Sequence, residues 1–308
     1  MPVIDELNSD FGRPGRIMFA MGDLGGPQAH LHAGDQSAIV ALQGAQVLSW
    51  QSGGRERLWL SPVSRLGSSK PVRGGIPVCW PWFGPATDDS SKPAHGFVRT
   101  RNWNVVQTQI AADQAKVAVT LAFATGPEHA ALWPYDAKVR LTVSLDTGLS
   151  LTLETFNKGA GPLVLGEALH TYFAVSDIAT TAIDGFDGTT YIDKLDRETV
   201  HQQSGPIIIA GEVDRIYLGD TGPVTLRDGI DQIIIASKGS ASTVVWNPWA
   251  NKTLRLGDMG AADAFRHMVC IETANAASDI VMLPPGGRHV LEARYTATPA
   301  KSPRITRT

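Results

Sequence analysis

KVRLTVSLDTGLSLTLE, residues 138–154, is the stretch from which the fold can be read. Val139, Leu141, Val143 and Leu145 alternate with Lys138, Arg140, Thr142 and Ser144. A period of two puts one set on a buried face and the other on a wetter one, the pattern of a half-buried antiparallel strand. Leu149, Leu151 and Leu153 repeat it against Ser150, Thr152 and Glu154, and Asp146-Thr147-Gly148 between the two runs is a hairpin signal. Upstream, Val117, Val119, Leu121 and Phe123 form another such face. Further β-rich runs cover 39–50, 103–110, 163–175, 207–210, 233–237, 243–246, 267–273 and 290–295. Helical periodicity is scarce, with room for a turn or two at 128–133 and 261–265. Many short strands punctuated by Gly and Pro predict an all-β sandwich or barrel. No repeat or composition break divides the chain. The expected layout is a lead-in over 1–30, one β-sandwich domain over 31–298 and a loose basic tail over 299–308.

The 308 residues are 43% hydrophobic with a net charge of −3, which suits a large core and speaks against a surface made for nucleic acid or anionic lipid. Cys79 and Cys270 each sit in an apolar run and read as buried reduced thiols. The first twenty residues do not read as a secretory signal, and no run is apolar enough to span a bilayer. A soluble cytoplasmic monomer is expected, with no membrane or nucleic-acid partner.

Several segments are not explained by strands. Residues 72–85 hold three prolines, three glycines and two tryptophans, a composition that predicts an irregular loop. Its rings could take the flat C–H faces of a sugar, and arginines nearby could take hydroxyls or a phosphate. Composition alone slightly favours an aromatic plug at the end of the sandwich. His95-Gly96-Phe97-Val98-Arg99 adds an arginine near an aromatic, suggestive of an anion site without being specific. Glu167-x-x-His170 would be a metal motif on a helix, but in a β-like run the two side chains point to opposite faces, and His170 shares its face with Ala168 and Tyr172. Glu272 lies inside the apolar run Val-Cys-Ile-Glu-Thr, where an unpartnered carboxylate costs several kcal/mol, so it needs a partner or a task. His30-x-His32 reads as surface, and the faintly calcium-like 184–188 as a turn.

The runs RGGIPVCWPWFGP (73–85), HGFVR (95–99), ALHTYF (168–173), DRIY (214–217), WNP (246–248) and CIET (270–273) together resemble the aldose 1-epimerase superfamily, and within it the hexose-6-phosphate mutarotases. They occur in that family's order. Some eukaryotic relatives carry Gln where this chain has Ala94. The resemblance implies a galactose-mutarotase-like β-sandwich that interconverts the α and β anomers of a hexose 6-phosphate without metal or other cofactor. It implies that His170 is the general acid and Glu272 the general base. It implies that Arg73 and Arg99 help to hold the phosphate, and that His95, Asp214, Trp246 and Asn247 contact substrate. Three alternatives stay open: an epimerase of unphosphorylated aldoses, a non-catalytic carbohydrate-binding sandwich, and a glycoside hydrolase with Asp214 as second carboxylate.

Overall fold

The computed structural model describes residues 4–299 apart from 114, 221 and 230. The hairpin expected at 146–148 is present: Ala137–Leu145 and Leu149–Asn157 pair antiparallel, with Leu145 opposite Leu149 and Val139 opposite Thr155. The Gly148 N–H donates to Asp146 Oδ1 at 3.1 Å. A Cβ at Gly148 would lie 2.3 Å from the Tyr295 carbonyl oxygen, so the neighbouring strand admits only glycine there.

This hairpin belongs to a nine-stranded sheet, in the spatial order Ile207–Ile208, Thr181–Asp184, Val224–Asp228, Asp231–Lys238, Arg288–Pro299, Leu149–Asn157, Ala137–Leu145, Val117–Ala124, Asn104–Ile110. An eight-stranded sheet faces it: Thr199–Gln202, Thr190–Asp193, Val213–Leu218, Ser242–Asn247, Met268–Asn275, Glu167–Leu169 and Val78–Cys79, with Tyr172–Ala174 also paired to Met268–Asn275. Val139, Leu141, Val143, Leu149, Leu151 and Leu153 from one side meet Leu169, Phe173, Val245, Val269 and Ile271 from the other in one core. Each such fully buried leucine contributes roughly 1.5–3 kcal/mol. The architecture is the all-β sandwich expected from the alternation.

The described part of the expected lead-in, residues 4–30, carries secondary structure. Ile4–Phe11 is a helix, Ile17–Met21 pairs with Pro27–Ala33, and Ile17, Phe19 and Leu31 join the main core. Asn8 ties helix to strand through the N–H and the carbonyl of Phe19. The expected turns are short 3-10 segments, Pro127–His129 and Ala264–His267, and the helix Trp249–Leu256 is an addition. The 72–85 loop holds one two-residue strand, Val78–Cys79, at the edge of its sheet, where flanking prolines do no harm. From residue 300 onward the expected tail lies outside the described residues.

The eight-stranded sheet has a second face, turned away from this core. Along Met268–Asn275, Val269 and Ile271 enter the core, while Cys270, Glu272 and Ala274 look outward. The same alternation turns Ala168, Asp214, Ile216, Val244 and Trp246 to that outer face.

Candidate active site

A pocket of about 550 Å³ opens on this outer face. Arg73, His95, Arg99, His170, Asp214, Trp246 and Glu272 all line it. Residues up to 199 positions apart in the sequence thus converge: Asp214, Trp246 and Glu272 from neighbouring strands of one sheet, His170 from between two short strands paired to the Glu272 strand, Arg73 and His95 from loops and Arg99 from the 3-10 segment Val98–Thr100.

His170 and Glu272 meet by register. Leu169 lies opposite Thr273 and Tyr172 opposite Cys270, which places His170 across from Glu272 on the adjacent strand. His170 Nε2 is 3.4 Å from Glu272 Oε1. The His170 imidazole lies flat on the Tyr172 ring, centroids 4.8 Å apart and planes within 7°, and meets the His95 ring edge-on at 5.6 Å. Burial, helped by the nearby His95, Arg73 and Arg99, drives His170 toward the neutral imidazole. Burial and then Asp214 push the Glu272 carboxyl well above its usual range, against the pull of Arg99. Both groups therefore resist carrying a lone charge, and the pair is suited to holding one proton between them.

His95 sits at φ +64°, and the following Gly96 at φ +73° passes so close to Trp80 that a Cβ would fall 1.8 Å from its carbonyl oxygen. The Gly84 N–H donates to His95 Nδ1 at 3.3 Å, which leaves the ring proton on Nε2. Burial, then Arg99 and Arg73, lower His95 to about 3, so it serves as a neutral donor rather than an acid.

The two arginines differ. Arg73 gives Nε and Nη2 to Asp258 Oδ2 at 3.1 and 2.9 Å, and Nη1 to the Tyr172 hydroxyl at 2.9 Å. Arg99 donates from Nη2 to the Ala94 carbonyl, and its Nε is buried without a partner. Asp214 stands opposite Trp246 in register, 3.9 Å from Lys252 Nζ, and burial raises its carboxyl.

Asn247, expected to contact substrate, is placed off the pocket lining. It is fully buried, donates from Nδ2 to the Phe265 and Met268 carbonyls at 2.9 Å each, and accepts the Trp249 N–H. Trp246 faces the pocket, and its immediate neighbour on the same strand must face the other way. Glu167 likewise turns from His170: its Oε2 accepts from Thr155 at 3.1 Å on the core side, as strand alternation predicts.

Lys70, Lys194, Lys252 and Asp258 also line the pocket and were not among the candidates. Lys252 comes from the unforeseen helix and Asp258 from the turn after it, places where no local pattern announces a site. Tyr172 was legible only as sharing a face with His170. In the calcium-like fragment, Asp184 pairs with Arg227 and Asp187 accepts the Gly205 N–H, so both carboxylates are committed. One grouping among the described residues has donor atoms close enough for a metal: His170, Cys270 and Glu272, all within 4.8 Å of one another. No helix among those residues is long and apolar enough to cross a membrane.

The chain is similar to proteins already known. Two curated relatives are each called "Putative glucose-6-phosphate 1-epimerase". The Escherichia coli K12 protein is 36% identical over 78% of this chain and 80% of its own length. The Cenchrus ciliaris protein is 32% identical over 80% and 77%. The crystal structure of a "putative mutarotase" from Salmonella typhimurium superposes with a TM-score of 0.84 at 27% identity, covering 92% of this chain and 94% of that one. A galactose mutarotase-like protein of Clostridium acetobutylicum, 15% identical with a TM-score of 0.71 over 92% and 98% of the two chains, shares the fold. The family model described as Aldose 1-epimerase matches residues 27–296, and the chain belongs to that family of sugar isomerases.

Proposed function

We propose that the protein interconverts the α and β anomers of a hexose 6-phosphate by general acid–base ring opening. The observation that carries this reading is the His170–Glu272 pair, 3.4 Å apart across two strands at the base of a pocket. Mutarotation asks for one proton to leave the anomeric hydroxyl and one to reach the ring oxygen. Both oxygens are bonded to the same carbon, so acid and base must be close neighbours. With the pair's shared proton on His170, Glu272 takes the hydroxyl proton as His170 protonates the ring oxygen. The ring opens to the aldehyde, the C1–C2 bond turns, and the two transfers run backward as the other face closes. No proton is gained or lost overall. Each group contributes roughly 10²–10⁴-fold.

Five basic side chains, Lys70, Arg73, Arg99, Lys194 and Lys252, line the pocket against three carboxylates, Asp214, Asp258 and Glu272. That excess suits a phosphorylated sugar, whose remote anion would orient the ring. The names of the curated relatives point the same way. A second reading, an epimerase of unphosphorylated aldoses, draws support from Arg73, whose charge is matched by Asp258. Anomer-exchange NMR on glucose 6-phosphate, glucose and galactose separates the two. The phosphate is expected to exchange fastest by a wide margin, and equal acceleration of the plain sugars would overturn the phosphate reading.

A further inference from the structure

We propose that His170, Cys270 and Glu272 form a site for a thiophilic divalent cation such as Zn²⁺, which binds in competition with the sugar. Cys270 and Glu272 are two apart on one strand and project to the same side, and register brings His170 opposite Glu272. Their three donor atoms lie within 4.8 Å of one another. A nitrogen, a sulfur and a carboxylate oxygen form a set that zinc accepts and that magnesium or calcium, which take oxygen shells, do not.

A second observation points to a ligand independently. His170 Nδ1 and Glu272 Oε2 are buried atoms with no hydrogen-bond partner, in side chains 10% and 1% exposed. Such orphans are uncommon in native proteins and mark places where something can bind. Three protein ligands leave zinc a fourth position. Because His170 and Glu272 line the pocket and Cys270 lies beneath them, that position faces the pocket, where water could fill it. On binding, the Cys270 thiol releases its proton to solvent and ligates as thiolate, with no change of oxidation state. The cation then occupies the atoms that would exchange protons with the sugar. No step of the anomer exchange uses Cys270, so the cysteine separates metal binding from catalysis.

The test begins with the full chain stripped by EDTA, in which state anomer exchange is expected to run at its full rate. Co²⁺ alone is then titrated in without sugar. A thiolate-to-cobalt charge-transfer band should appear, vanish on addition of Zn²⁺, and be absent from Cys270→Ala. Loss of a second-shell partner typically weakens a metal site about 10–100-fold, and loss of the sulfur itself should weaken it at least that much. In the exchange assay, Zn²⁺ should raise the apparent KM of the parent protein, with EDTA restoring it. The ratio of rates with and without Zn²⁺ should move far less in Cys270→Ala, or in Cys270→Ser if the alanine variant does not fold. A folded parent protein that binds Co²⁺ without the thiolate band, or equal zinc sensitivity in the cysteine variants, would overturn the proposal. The spectrum is read without any sugar, so its outcome is independent of which aldose is the substrate.

Discussion

Glu167 and Glu272 lie on neighbouring strands of one sheet and are 0% and 1% exposed. Each stands near a histidine: Glu167 Oε1 is 3.5 Å from His289 Nε2, and Glu272 Oε1 is 3.4 Å from His170 Nε2. Burial raises both carboxyls, Glu167 to about 8. What separates them is the face. Glu272 looks outward into the pocket, whereas Glu167 looks inward, beneath Thr155, whose hydroxyl also accepts from Trp80 Nε1. Burial, a nearby imidazole and a raised carboxyl are thus the same at both places. Of the two, only Glu272 lines the pocket, and that difference supports the role proposed for it.

The largest expected effect tests this contrast directly. Glu272→Gln and His170→Asn keep size and polarity while removing the proton-exchanging group. Each should lower anomer exchange by roughly 10²–10⁴-fold with folding and sugar-phosphate binding retained. The double variant should be little worse than either single one, because the two groups act as a unit. Glu167→Gln should leave exchange within a few-fold of the parent. NMR exchange rates on folded proteins decide it, and a near-parental Glu272→Gln rate would sink the mechanism.

Stability should show the converse. An unfolded Glu167 ionises near its ordinary 4.5, while the folded one holds its proton to about 8. As pH rises between those values the unfolded chain releases a proton that the folded chain keeps, so the folded state is progressively disfavoured. Above about 8 the loss is complete. The groups around this carboxyl are Thr155 and His289, with Asn275 bonded to His289 and Asp279 acting on it from further out. Glu167→Gln cannot ionise. It should match the parent near pH 4.5 and gain on it up to pH 8 by at most about 5 kcal/mol. Denaturant titrations of both proteins across that range measure the gap, and a constant gap would show that Glu167 titrates normally in the fold.

The arginines sharpen the outer face. Arg99 has an unpartnered Nε and a single carbonyl contact, whereas Arg73 is tied to Asp258 and Tyr172. A charge-assisted bond contributes about 1.5–3 kcal/mol. Arg99→Ala should therefore raise KM for the sugar phosphate roughly 10–100-fold while changing plain-sugar kinetics little. Arg73→Ala should also weaken phosphate binding but lower kcat on both sugars, because it frees the Tyr172 ring on which His170 lies. Identical KM and kcat changes in the two variants would show that these ties do not matter.

How far the sequence carried these distinctions follows from what each depends on. The 138–154 hairpin was legible because alternation and turn chemistry are local. The separation of Glu167 from His170 was legible for the same reason. The pairing of His170 with Glu272 came from the family resemblance and not from local pattern, since it depends on the register of strands whose residues lie 102 positions apart. The burial argument that singled out Glu272 applied with equal force to Glu167, and composition could not say which of them reached solvent. Lys252 and Asp258 enter the pocket from a helix and turn placed there by tertiary packing alone.

Trp246 and Asn247 offer the smallest and most local version of the comparison. They are adjacent, so the strand sends one outward and the other inward. Trp246 presents its ring beside His170 and Tyr172, where a sugar face could pack. Asn247 instead holds the carbonyls of Phe265 and Met268 and the Trp249 N–H, fastening the 3-10 turn and the start of the Glu272 strand to the helix. Asn247→Ala leaves those buried groups unsatisfied, at a cost of about 1–3 kcal/mol. Its expected signature is a lower denaturation midpoint with KM unchanged. Trp246→Leu keeps an apolar side chain but removes the flat ring, and should raise KM with a smaller change in stability. Should Asn247→Ala raise KM while the midpoint holds, Asn247 would be a substrate contact after all, and the inward assignment of its side chain would fall.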